Sequence, residues 1–190
     1  MARQRAPHPT LLTSRLRLRQ FRAEDADAMH ECFGDPAAMR FWNTPAHTKR
    51  AETERAVRRF IDCTPSYYRL WAVADADSDH CLGMVNYHDG HIRNKRVAIG
   101  YIINPARHRQ GIATEAVTAV LDHCFGELGL HRVQAFIQPD NGASRALAEK
   151  LGFRCEGLLR ENLRVGGIWR DEMLYALLAT DRPSRGPNPT

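Results

Sequence analysis

An apolar run that ends in a basic, glycine-containing turn constrains this chain more than any other stretch. Arg96 to Ile103 (RVAIGYII) has the composition of a buried strand. Thr114 to Phe125 places Val117, Val120, Leu121 and Cys124 on one helical face. Between them stands Asn104-Pro105-Ala106-Arg107-His108-Arg109-Gln110-Gly111-Ile112-Ala113. The order is therefore a strand, a turn and a helix start. A helix start carries N–H groups without intrahelical partners and a partial positive charge. Gly111 has no Cβ, so a phosphate could approach the backbone of Gln110, Gly111, Ile112 and Ala113, with Arg107 and Arg109 adding charge. An ordinary strand-to-helix connection with solvated arginines has the same composition. Two common phosphate loops are excluded, because there is no GxxxxGK(S/T) and no GxGxxG opening the helix.

The rest of the chain narrows the ligand. At 190 residues it fits one domain with a full-sized core. A formal charge of +5 and a pI near 9.2 suit an anionic ligand such as a nucleotide cofactor, and also nucleic acid. The Lys and Arg residues are scattered and not interleaved with aromatics, which makes nucleic acid the lesser expectation. The five Cys, at positions 32, 63, 81, 124 and 155, are odd in number, widely spaced and without CxxC. They read as reduced, mostly buried thiols of an intracellular protein. No apolar run approaches membrane-spanning length, and basic Met1 to Pro9 has no apolar region behind it. A cytoplasmic protein is expected.

Taken in order, residues 1–9 are expected to form a flexible tail, 10–180 a single domain, and 181–190 a disordered tail with three Pro. Arg15-Leu16-Arg17-Leu18-Arg19 alternates as a half-exposed strand does, its arginines facing water or a partner. Arg22 to Phe33 reads as a helix ended by Gly34-Asp35-Pro36, and Ala37 to Trp42 as one further turn. Thr48 is placed to cap a helix running to about Ile61, with Val57, Phe60 and Ile61 inward. Tyr68 to Ala74 and Cys81 to Tyr87 read as strands. Asp75 to Asp79 between them has an EF-hand-like start, but His80 and Asn86 stand where Gly and Glu are needed, so a polar hairpin turn is expected. His88-Asp89-Gly90-His91 is expected to be a solvated loop, since no further metal ligand accompanies it. Arg132 to Gln138 alternates as a strand. Asn141 caps a helix over Gly142 to Leu151 that buries Leu147 and Leu151. Phe153 to Leu163 and Ile168 to Leu178 make a hairpin through Gly166-Gly167.

His108-Arg109-Gln110-Gly111-Ile112-Ala113 resembles the pyrophosphate loop (Q/R)-x-x-G-x-(G/A) of the GCN5-related N-acetyltransferases, with His108 where that pattern has Gln or Arg. Gly111 to Ala116 (GIATEA) is closer to the RimJ/RimL-type branch, which acetylates ribosomal-protein N-termini. Thr13 to Arg19 with Glu24-Asp25, Leu128 to Val133, Pro139 to Arg145, and Lys150 to Gly157 resemble the same branch in the same order. The resemblance covers residues 11–180 and implies an α+β, three-layer fold. Its central sheet is mixed and mostly antiparallel, with about seven strands between helices. The family's fourth and fifth strands, here Arg96–Ile103 and Arg132–Gln138, splay apart, and acetyl-CoA lies in that V with its pyrophosphate on Gln110 to Thr114.

The implied chemistry is attack of a primary amine on a thioester. It needs a neutral amine, a donor for the oxyanion, and a proton for the departing thiolate. By the resemblance, the oxyanion donor is on the backbone of the splayed fourth strand at about Ile102, Ile103 and Asn104, which line the cofactor. His108, Arg109, Gln110, Gly111, Ile112, Ala113 and Thr114 form the phosphate loop. Asn141 contacts the pantetheine arm, and Ser144 gives the thiolate its proton. Asn141 also reads as a plain helix cap, and Ser144 as a residue supporting it. Some relatives carry a Glu base two residues before the Gly-Tyr of the central strand, where this chain has Ala98. The general base is left unassigned: His88 is a candidate, His91, Asp89 and Glu31 are possible substitutes, and a water chain would also serve. Trp42, Trp71, Tyr87 and Tyr101 could line the acceptor cleft, with core packing the simpler expectation for Trp71. The expected partners are acetyl-CoA and an amine acceptor, either a protein N-terminus or a small molecule, with neither metal nor membrane; a homodimer is left open. A non-catalytic acyl-CoA sensor on the same fold, and a small nucleic-acid-binding protein, are the alternatives.

Overall fold

A computed structural model describes residues 8–62 and 68–182. It contains one eight-stranded sheet with the order β1-β2-β3-β4-β5-β6-β8-β7. The strands are β1 Leu11–Leu12, β2 Leu16–Arg19, β3 Arg69–Asp75, β4 Cys81–His91, β5 Arg96–Ile103, β6 Arg132–Ile137, β7 Arg154–Val165 and β8 Ile168–Leu178. Helices α1 Ala26–Phe33 and α2 Arg50–Asp62 separate β2 from β3; α3 Ile112–Asp122 joins β5 to β6, and α4 Gly142–Lys150 joins β6 to β7. Neighbouring strands are antiparallel except β5 and β6, which run parallel. A parallel pair needs a crossover, and α3 supplies it.

Alternation divides the side chains between two cores. Trp71, Val73, Val85, Tyr87, Val97, Ile99 and Ile103 face α3 and meet Ile112, Val117, Val120 and Leu121. Leu70, Ala72, Met84 and Ile102 face the other way, onto Met29, Cys32 and Phe33 of α1 and Val57 of α2. The β5–β6 pairing is short: Arg96 to Arg132, Val97 to Val133 and Ala98 to Gln134. Beyond it the two strands part, and β6 continues with β8 as far as the pair Ile137–Met173. The sheet is therefore open at its centre on one end, as the splayed fourth and fifth strands implied. The eighth strand, beyond the seven expected, is the two-residue β1.

Several local expectations are corrected. Arg19 is not turned to water: its guanidinium is buried, pairing with Asp25 at 2.9 Å and with Asp79 at 2.9 Å. His88 to His91 is not a loop but the end of β4, because its register with β5 runs on to Arg96 through an irregularity. Thr48 is not the cap of α2; the helix starts at Arg50, and Glu52 takes the N–H groups of Thr48 and Lys49. In α4 it is Ala148 that is buried, while Leu147 and Leu151 are half-buried. His8 and Pro9 are not loose: His8 Nε2 lies 2.8 Å from Leu70 O, and Trp71 Nε1 donates to Pro9 O. Asp181 and Arg182 are held too, by Leu178 N and Asp122. The remaining parts of both expected tails, and Cys63, lie outside the described residues. Burial pushes the thiols of Cys32, Cys81 and Cys124 up to about 12, while Cys155 is exposed.

Candidate active site

The loop after β5 is built by its own side chains. Asn104 accepts from Ala106 N at 2.9 Å, and Pro105 opens a short 3₁₀ turn over Pro105–Arg107. His108 Nε2 lies 2.9 Å from Ile103 O and ties the turn back to the strand. Arg109 (φ 59°) and Gly111 (φ 79°) are both left-handed, and Gly111 is the N-cap of α3. The first helical bond runs from Glu115 N to Gly111 O. That leaves the N–H groups of Ile112, Ala113 and Thr114 at a helix end, where an anion is favoured. The glycine is required by its backbone angle. A Cβ built on it would sit 3.3 Å from Arg15 Nη2, so its missing side chain faces Arg15 of the turn between β1 and β2.

The gap between β5 and β6 has a polar wall. Backbone groups alternate along a strand between its two neighbours. Asn104 N donates to Leu82 O on the β4 side, and Lys95 O accepts from His131 N and Arg132 N on the β6 side. The N–H groups of Tyr101 and Ile103 therefore point to the gap, and those of Ile102 and Asn104 point to β4. Of the three expected backbone donors, Ile103 therefore has its N–H on the gap side, while Ile102 and Asn104 do not. Asn104 is also buried, with its carboxamide committed to Ala106 N and to Glu31. Across the gap, Asn141 Oδ1 caps α4 by accepting from Ser144 N at 3.2 Å. Both readings of the pair thus start from a real cap. The Tyr101 phenol oxygen is buried and falls short of a full hydrogen bond with any described residue. Burial raises its pKa above the usual range, and the nearby Ser144 hydroxyl draws it partly back. Tyr101 and Ser144 are therefore brought together although 43 positions separate them in sequence.

On the opposite face of the same strands lie the remaining candidates. His88 Nδ1 is 3.0 Å from Asp89 Oδ2, which fixes the ring. Its Nε2 lies 3.7 Å from where a Cβ on Gly100 would be. Asn86 Oδ1 is 2.7 Å from that same point, buried and without a hydrogen-bond partner among the described residues. Asn86 carries no signal in sequence; only the β4–β5 register sets it over Gly100. Glu31 is taken by Asn104, and His91 Nδ1 faces Asn94 N in the hairpin. Trp71 and Tyr87 pack edge to face in the α3 core at 5.7 Å and do not line the cleft; Trp42 rests beside Phe33.

This geometry has known counterparts. The acetyltransferase (GNAT) domain profile matches residues 15–154. The N-acetyltransferase YoaA of Bacillus subtilis (strain 168), itself uncharacterised, is 30% identical over 178 residues, covering 90% of this chain and 97% of YoaA. The ribosomal protein uS5-alanine N-acetyltransferase of Escherichia coli (strain K12) is 32% identical over 109 residues, 56% of each chain. Among solved structures, a GNAT-family acetyltransferase from Bacillus anthracis superposes with TM-score 0.82 at 28% identity, over 90% of this chain and 99% of that one. RimL, a ribosomal L7/L12 α-N-protein acetyltransferase solved with coenzyme A, shares the fold with TM-score 0.78 at 21% identity, over 90% of this chain and 98% of that one.

Proposed function

Since the chain belongs to the acetyltransferase (GNAT) family and is an acyltransferase, we propose that it transfers the acetyl group of acetyl-CoA to a primary amine, with a protein N-terminal α-amine as the leading acceptor. The observation that carries this reading is the gap between β5 and β6, closed at its end by the N-terminus of α3. In this reading the pyrophosphate rests on the N–H groups of Ile112 to Thr114, and the pantetheine arm runs through the gap past Asn141. The thioester carbonyl then lies against the N–H groups of Tyr101 and Ile103. These are fixed donors, suited to an oxyanion because they need no reorganisation as charge develops.

The amine arrives from the face that carries His88. Asp89 holds Nδ1, which leaves Nε2 to take the proton as the amine nitrogen bonds to the carbonyl carbon. His88 thereby answers for the carboxylate that Ala98 does not supply. An α-amine titrates near 8 and a Lys side chain near 10.4, so an imidazole base suits the α-amine better. When the tetrahedral intermediate collapses, the C–S bond breaks and the Ser144 hydroxyl protonates the thiolate, with the Tyr101 phenol beside it. The relatives that act on ribosomal proteins favour an N-terminal acceptor. A screen of peptides, amino acids, polyamines and amino sugars that follows free thiol release tests the reading. His88→Ala should lower kcat about 10²-fold or more at pH 7 on any acceptor that turns over. Full activity in that variant would remove His88 as the base, and absence of turnover with every acceptor would remove the catalytic reading.

A further inference from the structure

The loop at the start of α3 has a neighbour that its own sequence does not contain. Glu115, one turn into the helix, reaches the turn between β1 and β2. Its Oε1 accepts from Thr13 Oγ1 at 2.5 Å, Ser14 Oγ at 3.3 Å and Arg15 N at 3.1 Å. Its Oε2 accepts from Arg15 Nε at 2.7 Å and is ion-paired with Nη2 at 2.6 Å. Arg15 Nη1 donates to Gln110 O at 3.0 Å. A guanidinium has five N–H groups in a fixed plane. Nε and one N–H of Nη1 are committed here, the other N–H of Nη1 and those of Nη2 remain for a ligand, and the side chain is 54% exposed. The free edge stands at the left-handed turn, with Nη2 only 3.3 Å from the Gly111 Cβ position.

We propose that Arg15 is a ligand of the acetyl-CoA phosphates, aimed by Glu115 at the phosphate loop from outside it. The proposal rests on the loop reading given above. Two electrostatic facts carry it. The first is that a carboxylate in the first turn of α3 repels the phosphates that the helix end attracts. Burial raises the pKa of Glu115, but the Thr13 and Arg15 donors outweigh this and hold it below the usual range, so the group is charged near neutrality. Arg15 cancels that charge where it matters. The second is that the guanidinium is already tethered in place. It then loses little side-chain freedom when a phosphate binds, which is the condition under which a charge-assisted hydrogen bond adds affinity. Arg107 and His80 line the same hollow of about 180 Å³ beside the loop. Asp75, also in its lining, is committed to Asp77 N and Ser78.

The test is titration calorimetry of the full chain with acetyl-CoA, each variant also being melted. At about 0.1 M salt Arg15→Ala should bind at least about tenfold more weakly, and the loss should narrow at about 1 M, where charges are screened within ~3 Å. Arg15→Gln, which keeps a hydrogen bond to Glu115 without the charge, should lose as much and serves if the alanine variant melts too low to titrate. The double variant Arg15→Ala/Glu115→Gln should bind severalfold more tightly than Arg15→Ala, because the exposed carboxylate is gone. A structural latch alone predicts the reverse order, since the double variant removes both halves of the tether. Gly111→Val separates the two levels of the argument. If that variant binds acetyl-CoA as the wild type does, the loop reading itself fails. If it loses binding while Arg15→Ala and Arg15→Gln keep it, or the double variant is no better than Arg15→Ala, Arg15 is no phosphate ligand.

Discussion

Replacing Gly111 by alanine separates backbone geometry from contact at the phosphate loop. The residue is the N-cap of α3 at φ 79° and ψ 0°. An L-residue held in the left-handed region costs about 1–2 kcal/mol. The added Cβ meets only the end of the Arg15 side chain at 3.3 Å, which can shift by a few tenths of an ångström at little cost. Nearly all of the penalty is therefore conformational, and it has two places to appear. If the unliganded loop keeps its shape, stability falls by the full strain. A melting point then drops about 2–4 °C per kcal/mol for a chain of this size. If the loop relaxes, stability is spared, the N–H groups turn away, and acetyl-CoA must restore the shape. Binding then weakens by the same free energy, about five- to thirtyfold at 1.36 kcal/mol per decade. The two losses should sum to about 1–2 kcal/mol. Gly111→Val should exceed it, because a branched Cβ is stiffer against the turn and pushes Arg15 further. Calorimetry and thermal melting on the same samples give both terms. An alanine variant with wild-type affinity and wild-type melting temperature would refute the claim that the left-handed cap shapes the site.

Ser144→Ala should lower kcat toward the low end of 10²–10⁴-fold, with little change in the KM for acetyl-CoA, because a thiol is already a fair leaving group. The Asn141 cap uses Ser144 N, which alanine keeps, so melting should hardly move; a destabilised variant with full kcat would assign Ser144 to structure alone. Arg19→Met should cost about 3–5 kcal/mol in a urea titration, because it strands Asp25, only 5% exposed, without its cation. A loss under about 1 kcal/mol would mean the carboxylate is otherwise satisfied. Burial holds His8, His47 and His123 below the usual imidazole range; Glu127 Oε2, 2.9 Å from His123 Nδ1 but out of line with the ring, opposes this only in part. A lowered folded pKa means the unfolded chain binds protons first, so stability should be level above about pH 7 and fall as pH drops through about 6.5. Asp79, Glu115 and Glu156, held below the usual carboxylate range, add their own loss only near pH 4. A melting temperature that stays constant from pH 7 to about 5.5 would contradict the imidazole contribution.

What the sequence determined by itself is what short stretches of chain dictate. The apolar run of β5 is observed at its expected bounds, and the alternation of Val133, Ala135 and Ile137 gives β6 and its buried face. Gly166 and Gly167, both left-handed, close the β7–β8 hairpin. Asn141 caps α4, and the glycine turn before α3 stands where its composition placed it. Each rests on backbone preferences and on a period of two or 3.6 residues, which act over a few positions. Only the tertiary structure decided what each side chain meets. Arg19 lies in an alternating strand that reads as half-exposed, yet the hairpin that brings Asp79 to it is 60 residues away. His88 is a strand residue because β4 keeps its register with β5, and that register also lays Asn86 over Gly100. Which N–H groups face the gap depends on where β6 leaves β5, three pairs in, and on nothing written in β5 alone. Arg15 reaches Gly111 only because Glu115 and the first strands are packed together. The physical reason is the same throughout: periodicity tells which side of an element a residue takes, whereas its partners come from distant segments whose approach is set by how the whole sheet and its helices pack.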